Sequence, residues 1–412
     1  MANQETDRTS DEQELLPTGH SRYLQPFLVF VRLGLTSFGG PIAHLGYFRQ
    51  EFVEKRRWLT EQSFVDLVAL CQFLPGPTSS QVCYSIGMMR GGLFGAIASW
   101  CGFTLPSGLL MILAAYGIHW AGNPQAAPWI HGLKIVAVAV VAQAVWSMAT
   151  KLCTDRLRIS FAVVAAVIVL LTNNSWIQVI VIVLGSIAGR RLIKGEPNPS
   201  ATQEFGFLPS RRLSIFSLAL FALCLLLVPI LASGNRDGWL PLFDSFYRSG
   251  SLVFGGGHVV LPLLQAEVVP RGWVDNNTFL AGYGFAQALP GPIFSFAAYL
   301  GAVKTGYPTG WSAGLWALFA ILLPPMLLVN GLLPLWSRLR SSPGAQAALA
   351  GANSTVVGIL LAAFYQPIST SAIDSPKSFA LALVLFAALQ FWKVAPWLLV
   401  IAGGVCGGLL LG

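Results

Sequence analysis

Two apolar stretches of this chain are interrupted by the same triplet, in "CQFLPGPTSSQ" (Cys71 to Gln81) and in "AQALPGPIFSF" (Ala286 to Phe296). Each Pro-Gly-Pro removes two backbone donors and frees carbonyls upstream, so neither stretch can run on as one regular helix. Hydrocarbon cannot satisfy those carbonyls, and such backbone is tolerated at membrane depth only where protein or a water-filled cavity surrounds it. Both breaks carry a glutamine three residues before the triplet, Gln72 and Gln287, and a serine three residues after it, Ser80 and Ser295.

Composition says which solvent these stretches meet. Of 412 residues, 55% are hydrophobic and 10% charged, against roughly 25% charged in a soluble domain. Apolar runs recur from Leu24 to Leu411, and about 20 such residues cross a bilayer. The expected fold is therefore an all-α integral membrane protein. The formal charge of +8 lies in short loops between apolar runs, where membrane proteins collect basic residues on the cytoplasmic side, so no nucleic-acid partner is expected. Residues 1–22 are polar with no apolar core after a basic start, and are expected to form a disordered cytoplasmic tail. The six cysteines form no Cys-x-x-Cys pair and the five histidines no His-x-x-x-His pair. No metal or other cofactor is expected.

The chain repeats itself. "FVRLGLTSFGG" (Phe30 to Gly40) aligns with "FYRSGSLVFGG" (Phe246 to Gly256) at an offset of 216 (254 − 38), and Glu51 meets Glu267 at the same offset. After a one-residue deletion the offset is 215 (290 − 75), pairing Trp58 with Trp273, Phe64 with Phe279, Gln72 with Gln287, Ser80 with Ser295 and Tyr84 with Tyr299. Apolar segments often match Leu to Leu by chance; they rarely match Arg, Glu, Gln, Trp and two glycine signatures in order.

Basic loops orient the two copies. Arg49 to Arg57, Lys151 to Arg158 and Arg190 to Arg212 are the most basic and should all be cytoplasmic. Spans are expected near 91–117 and 129–149, then a hairpin over 159–189 turned at Asn173-Asn174, then a span over 213–232. Five crossings separate the two copies, and an odd number turns the second one over. Spans near 309–333, 346–364, 378–391 and 394–411 then leave Gly412 outside. The expected organisation is a first repeat over 23–189, a basic cytoplasmic linker over 190–212 and a second, inverted repeat over 213–412. The broken or re-entrant helices of the two would meet at a central site.

New half-helices starting at Pro77 and Pro292 would aim their free N–H groups at that site, with Pro75, Gly76, Thr78 and Ser80 around one break and Pro290, Gly291 and Ser295 around the other. These are neutral donors suited to a tetrahedral oxyanion. The Phe-Gly-Gly motifs form a second break in each half, at Gly39-Gly40 and Gly255-Gly256. Arg32 and Arg248 precede those glycine pairs by about two turns. Each could bind a dianion through its planar fork or pair with Glu51 or Glu267, which in turn could couple protons or serve as salt-bridge partners. Asp66, Lys134, Asp244 and Lys304 sit at polar ends of apolar segments and are expected at the interface.

The segments "SFGGPIAHLGYFRQEFVEKRRWLTEQSFVDLVALCQFLPGPTSSQ" and "VFGGGHVVLPLLQAEVVPRGWVDNNTFLAGYGFAQALPGP" resemble the two homologous domains of the long-chain chromate ion transporter family. The resemblance covers nearly the whole chain beyond the tail. It implies a bacterial inner-membrane protein that exports chromate, confers resistance and draws on the proton motive force. Gly257 stands where the first half has Pro41, a departure from strict repetition. Sulfate, a tetrahedral dianion of similar size, is the alternative substrate, and a homodimer stays open. An intramembrane enzyme is the alternative of another class; it would need a positioned acid, base, nucleophile or metal, where the membrane-depth residues here are mainly Gly, Pro, Gln, Ser and two Arg.

Overall fold

The computed structural model describes residues 21–120, 128–172, 176–194, 209–235, 237–254 and 257–410, and these residues are helical with no strands. The first half runs α1 (Ser21–Thr36), α2 (Gly40–Arg49, prolonged by a π turn Gln50–Lys55), α3 (Glu61–Phe73), α4 (Thr78–Trp120), α5 (Pro128–Leu152), α6 (Arg156–Leu171) and α7 (Trp176–Leu192). Helix α8 (Arg211–Ala232) follows. The second half runs α9 (Trp239–Ser251), α10 (Val260–Val268, after a 3₁₀ turn), α11 (Asn276–Ala288), α12 (Phe296–Val303, after a 3₁₀ turn), α13 (Gly310–Leu332), α14 (Trp336–Ser341), α15 (Pro343–Ala363), α16 (Pro376–Gln390) and α17 (Pro396–Leu410).

The two halves follow one plan. Helices α3 and α11 start at equivalent caps, where Thr60 accepts from the Ser63 N–H and Asp275 from the N–H groups of Asn277 and Thr278. Both end at a leucine held extended by the proline after it, Leu74 and Leu289. The single helix α4 corresponds to α12 and α13 together. It is broken at Gly91 and Gly92, whose backbones are not helical, so the expected span 91–117 is its second arm.

Each break folds the chain back on itself. The Phe30 ring of α1 lies 5.5 Å from Phe48 and 5.0 Å from Phe52, which makes α1 and α2 an antiparallel hairpin. Likewise Phe279 lies 5.1 Å from Phe296, and the Tyr299 hydroxyl donates to the Thr278 carbonyl at 3.0 Å, pairing α11 with α12.

Five helices among the described residues are long and apolar enough to cross a membrane: Thr78–Gly117, Trp129–Leu152, Arg211–Ala232, Gly310–Leu335 and Pro343–Ala372. Helices α6, α7, α16 and α17 are apolar but shorter, and at about 1.5 Å per residue they reach roughly 22 to 26 Å. They are laced to the long helices of both halves. α7 packs on α15 through Gly185, Gly189 and Gly351, and α17 packs on α5 through Gly132 and Gly403, so each half's last helix lies on the other half's long helix. Small residues allow that close approach. The turn expected at Asn173-Asn174 lies outside the described residues, as do Gly412 and most of the linker.

Candidate functional site

The four breaks meet in crossed pairs. The Gly76 N–H donates to the Val253 carbonyl at 2.7 Å, and the Gly291 N–H donates to the Ser37 carbonyl at 2.9 Å. Gly76 and Gly291 are repeat equivalents, as are Val253 and Ser37 (253 − 37 = 216). Each Pro-Gly-Pro therefore closes on the residue just before the other half's Phe-Gly-Gly, the reciprocal contact that a twofold relation between halves produces.

Glycine is needed at both centres. Gly76 has φ 127° and Gly291 φ 92°, conformations that cost an L side chain. A β-carbon on Gly76 would lie 2.5 Å from Pro325 Cβ, and one on Gly291 would lie 2.8 Å from Ser107 Cβ. Pro325 and Ser107 are themselves equivalents at an offset of 218 (325 − 107). The α1–α4 and α9–α13 contacts fix the same register: Gly34 packs on the Phe103 carbonyl and Gly250 on that of Ile321 (321 − 103 = 218). The departure at Gly257 also finds its cause, because a β-carbon there would lie 3.3 Å from Pro41 Cγ and 3.0 Å from Ile293 Cγ2. The two equivalent positions face each other, and space remains for one ring.

Around these crossings the sequence-derived residues fall into different settings. Pro75 accepts from Gln81 Nε2 at 3.0 Å, and Pro77 accepts from the Gln81 N–H at 3.0 Å, so the first turn after the break begins at Thr78 rather than at proline. On the other side Pro290 and Pro292 are buried, and the Ser295 N–H donates to the Pro292 carbonyl at 2.9 Å within a 3₁₀ turn. Ser80 and Ser295 are both 2% exposed. Gln72 is exposed, whereas Gln287 is half-buried, its amide sealed from solvent beside the Tyr283 hydroxyl. Gly39, with φ 100°, caps α2 and Gly40 opens it; Gly255 and Gly256 lie outside the described residues.

The two arginines are engaged by carboxylates. Arg32 meets Glu51 at 2.6 Å, and Arg56 meets the same oxygen at 2.7 Å. In the second half Arg248 donates to Glu267 through Nη1 at 2.8 Å and Nη2 at 2.7 Å, and to Asp244 through Nε at 3.1 Å and Nη2 at 2.9 Å. Arg271 approaches Glu267 at 3.5 Å. Of the two roles open to the glutamates, the geometry displays the ion pair. A tryptophan ring completes each network: Arg56 and Arg90 lie over Trp58, and Arg271 and Lys304 lie over the equivalent Trp273. Lys304, Asp244 and Asp66, expected at the interface, are 2%, 4% and 7% exposed. Burial of Asp244 follows from its guanidinium partner, and burial of Lys304 from its bond to Asp237 at 2.8 Å.

Four polar residues at the crossings went unmarked in the sequence, Ser37, Gln81, Thr104 and Ser107, each 0% or 1% exposed. A fifth, His44 at 1%, stands near a Phe-Gly-Gly break but does not align with His258, which argues against a role shared by both halves. None recurs in the other half, so the repetition that singled out Gln and Ser passes over them. Their one-sidedness is itself the signal, visible once the halves are aligned through α4 and α13.

A two-repeat, all-helical, multi-pass membrane protein whose broken helices converge in crossed pairs has the build of a transporter. The profile of the chromate transporter family matches residues 24–190 and 240–408, and the chain belongs to that family. It is 29% identical over 313 residues to a chromate transport protein of Pseudomonas aeruginosa, covering 74% of this chain and 73% of that one. It is 28% identical over 382 residues to a probable chromate transport protein of Synechococcus elongatus, covering 90% and 92%. An uncharacterized transporter of Bacillus subtilis, YwrA, is 32% identical over 174 residues, which are 41% of this chain and 96% of that one; a single half is thus a unit that occurs alone. No solved structure matches the chain.

Proposed function

We propose that this protein is a secondary transporter that exports chromate across the bacterial inner membrane, draws on the proton motive force and so confers chromate resistance. The observation that carries the reading is the reciprocal crossing of the four breaks, Gly76 on Val253 and Gly291 on Ser37. It brings two helix starts and their neutral donors, among them Ser80 and Ser295, to the interface of the repeats, where half-helix N–H groups favour an anion. Family membership supplies the substrate: the curated relatives are named for chromate transport. Export suits the energetics, since moving an anion out of a cell that is negative inside gains about 2.3 kcal/mol per charge per 100 mV.

In this reading the first repeat spans 23–189, the linker 190–212 and the second repeat 213–412, with the copies inverted across the membrane. The N-terminus and linker are cytoplasmic, and the C-terminus is periplasmic. Cysteines placed at Arg57 and Arg271 should react with impermeant reagents from opposite sides, and labelling from one side would end the inverted arrangement. Function is tested by radiolabelled chromate flux into inverted vesicles, with sulfate, molybdate and phosphate as competitors. Saturable uptake that collapses with the pH gradient or the potential is expected. Flux that neither saturates nor responds to either gradient would make the protein a passive pore.

A further inference from the structure

The two crossings are built on one plan but lined with different chemistry. Where the first-half Phe-Gly-Gly break meets the second-half Pro-Gly-Pro, the residues are Ser37, His44, Thr104 and Ser107. Their equivalents at the other crossing are Val253, Val260 (260 − 44 = 216), Leu322 (322 − 104 = 218) and Pro325. At these four paired positions one crossing is polar and the other apolar; beyond them the second crossing carries Ser80 and Gln81, and Gln81 is held there by the Pro75 carbonyl. We infer that the transported oxyanion is seated asymmetrically, at the Ser37–Gly291 crossing, with Ser37, Thr104 and His44 as its ligands; this rests on the oxyanion reading above.

The polar set is one neighbourhood. The Ser37 carbonyl accepts from the Gly291 N–H at 2.9 Å and from His44 Nε2 at 3.2 Å. The His44 ring stands edge-on to Phe103, 5.4 Å between centroids, and Phe103 precedes Thr104 in α4. Ser107 lies against Gly291 and donates to the Thr104 carbonyl at 3.0 Å. Ser37 and Thr104 are 0% exposed and His44 is 1% exposed, yet Ser37 Oγ, Thr104 Oγ1 and His44 Nδ1 have no hydrogen-bond partner. Buried polar atoms are nearly always satisfied, so a cluster that is not satisfied within the protein marks where something else supplies the bonds.

The donor count also says what that ligand is. The two hydroxyls donate. The carbonyl of Ser37 can only accept, so His44 Nε2 carries the ring proton and Nδ1 is left as an acceptor. Two donors and one acceptor suit a singly protonated tetrahedral oxyanion, whose bare oxygens accept and whose hydroxyl donates. Chromate takes that form in part near neutral pH, whereas sulfate remains a full dianion. The ionised residues of the surrounding helices are engaged with other partners: Arg32 and Arg56 on Glu51, Arg49 on Glu54 and Glu61, Arg90 over Trp58.

The test exchanges each polar residue for the one its own repeat already accommodates: Ser37→Val, Thr104→Leu and His44→Val, in the full-length protein purified in detergent. Binding of chromate and of sulfate is measured by equilibrium dialysis, with thermal melts to check folding. Ser37→Val and Thr104→Leu should each weaken chromate binding about tenfold to a hundredfold, the effect of losing a hydrogen bond to a charged group. His44→Val should erase the preference for chromate over sulfate, and Leu322→Thr at the apolar crossing should change neither affinity. Should an exchange not fold, Ser37→Ala and Thr104→Val remove the same hydroxyls with less change in shape. Wild-type affinity in folded Ser37 and Thr104 variants overturns the asymmetric seat and leaves oxyanion transport standing. A wild-type protein that binds neither anion overturns transport itself.

Discussion

Arg32 and Arg248 hold the same position in the repeat but not the same environment. The Arg32 side chain is 55% exposed and meets one carboxylate, Glu51. That of Arg248 is 6% exposed and lies between two, Asp244 and Glu267. The first-half counterpart of Asp244 is Leu28 (244 − 216 = 28). Helix α8 packs on α9 and α13 and helps seal the second network. The glutamate is common to both halves because any guanidinium at this depth needs a counter-charge; the extra aspartate accompanies burial. Duplication copied the bond, and the surroundings decided how many partners it required.

The largest effect expected from this contrast is in Arg248→Met. It strands two buried carboxylates and should cost about 3 to 5 kcal/mol, whereas Arg32→Met removes an exposed guanidinium whose buried partner Glu51 keeps Arg56, and should cost about 0 to 1 kcal/mol. Thermal unfolding of the purified variants compares them directly. Equal losses would mean that the burial difference between the halves has no energetic meaning.

Next come the glycines of the crossings. Gly76→Ala and Gly291→Ala both place a β-carbon at positive φ, at about 1 to 2 kcal/mol, and both meet a neighbour. At Gly76 the neighbour is the rigid ring of Pro325 at 2.5 Å, and at Gly291 it is Ser107 at 2.8 Å. Gly76→Ala should therefore unfold at lower temperature than Gly291→Ala, and the reverse order would show that Ser107 yields less than proline does.

Much of this frame could be read in the sequence, and the reason is chemical. Proline and glycine act through the backbone they belong to, so the breaks at Pro75–Pro77 and Pro290–Pro292 declare themselves locally, and a duplicated local signal is hard to miss. The pairing of Gly76 with Val253 is different. It joins the first half to the second, and nothing in the residues near Gly76 names its partner. Ser37 and Thr104 were hidden for a related reason: each is unremarkable alone, and significance arises only when Thr104 is set against Leu322. Asp244 and Lys304 read as interfacial because a lone charge at the end of an apolar run usually is; partners distant in sequence, Glu267 for the Arg248 cluster and Asp237 for Lys304, make their burial tolerable.

The serines after the two breaks sharpen the comparison at the crossings. Ser295 belongs to the polar crossing and Ser80 to the apolar one, though both are 2% exposed. Ser295 is not itself a ligand of the seat, so Ser295→Ala should weaken chromate binding less than Ser37→Val does, by under about 1.5 kcal/mol, and Ser80→Ala by less again. Equal weakening in equilibrium dialysis would place the anion midway between the halves.

The smallest effect expected separates the two tryptophan clusters. In the second half Lys304 reaches past Trp273 to Asp237, whose carboxylate the Lys304 hydrogen bond holds below the ordinary aspartate range. The first-half counterpart of Asp237 is Ser21 (237 − 216 = 21), and the cation over Trp58 there is Arg90. Because the folded carboxyl binds its proton more weakly than the unfolded one, the pair's contribution is fully present above the ordinary carboxylate pKa. It fades as pH falls through the lowered folded value. Asp237 is 51% exposed, so screening keeps the effect below about 1 kcal/mol. Asp237→Asn should therefore melt slightly lower than the wild type at pH 7, and the two should converge toward pH 3. A gap that persists in acid would show that Asp237 supports Lys304 by packing and a neutral hydrogen bond, and that charge does not distinguish this cluster from its counterpart.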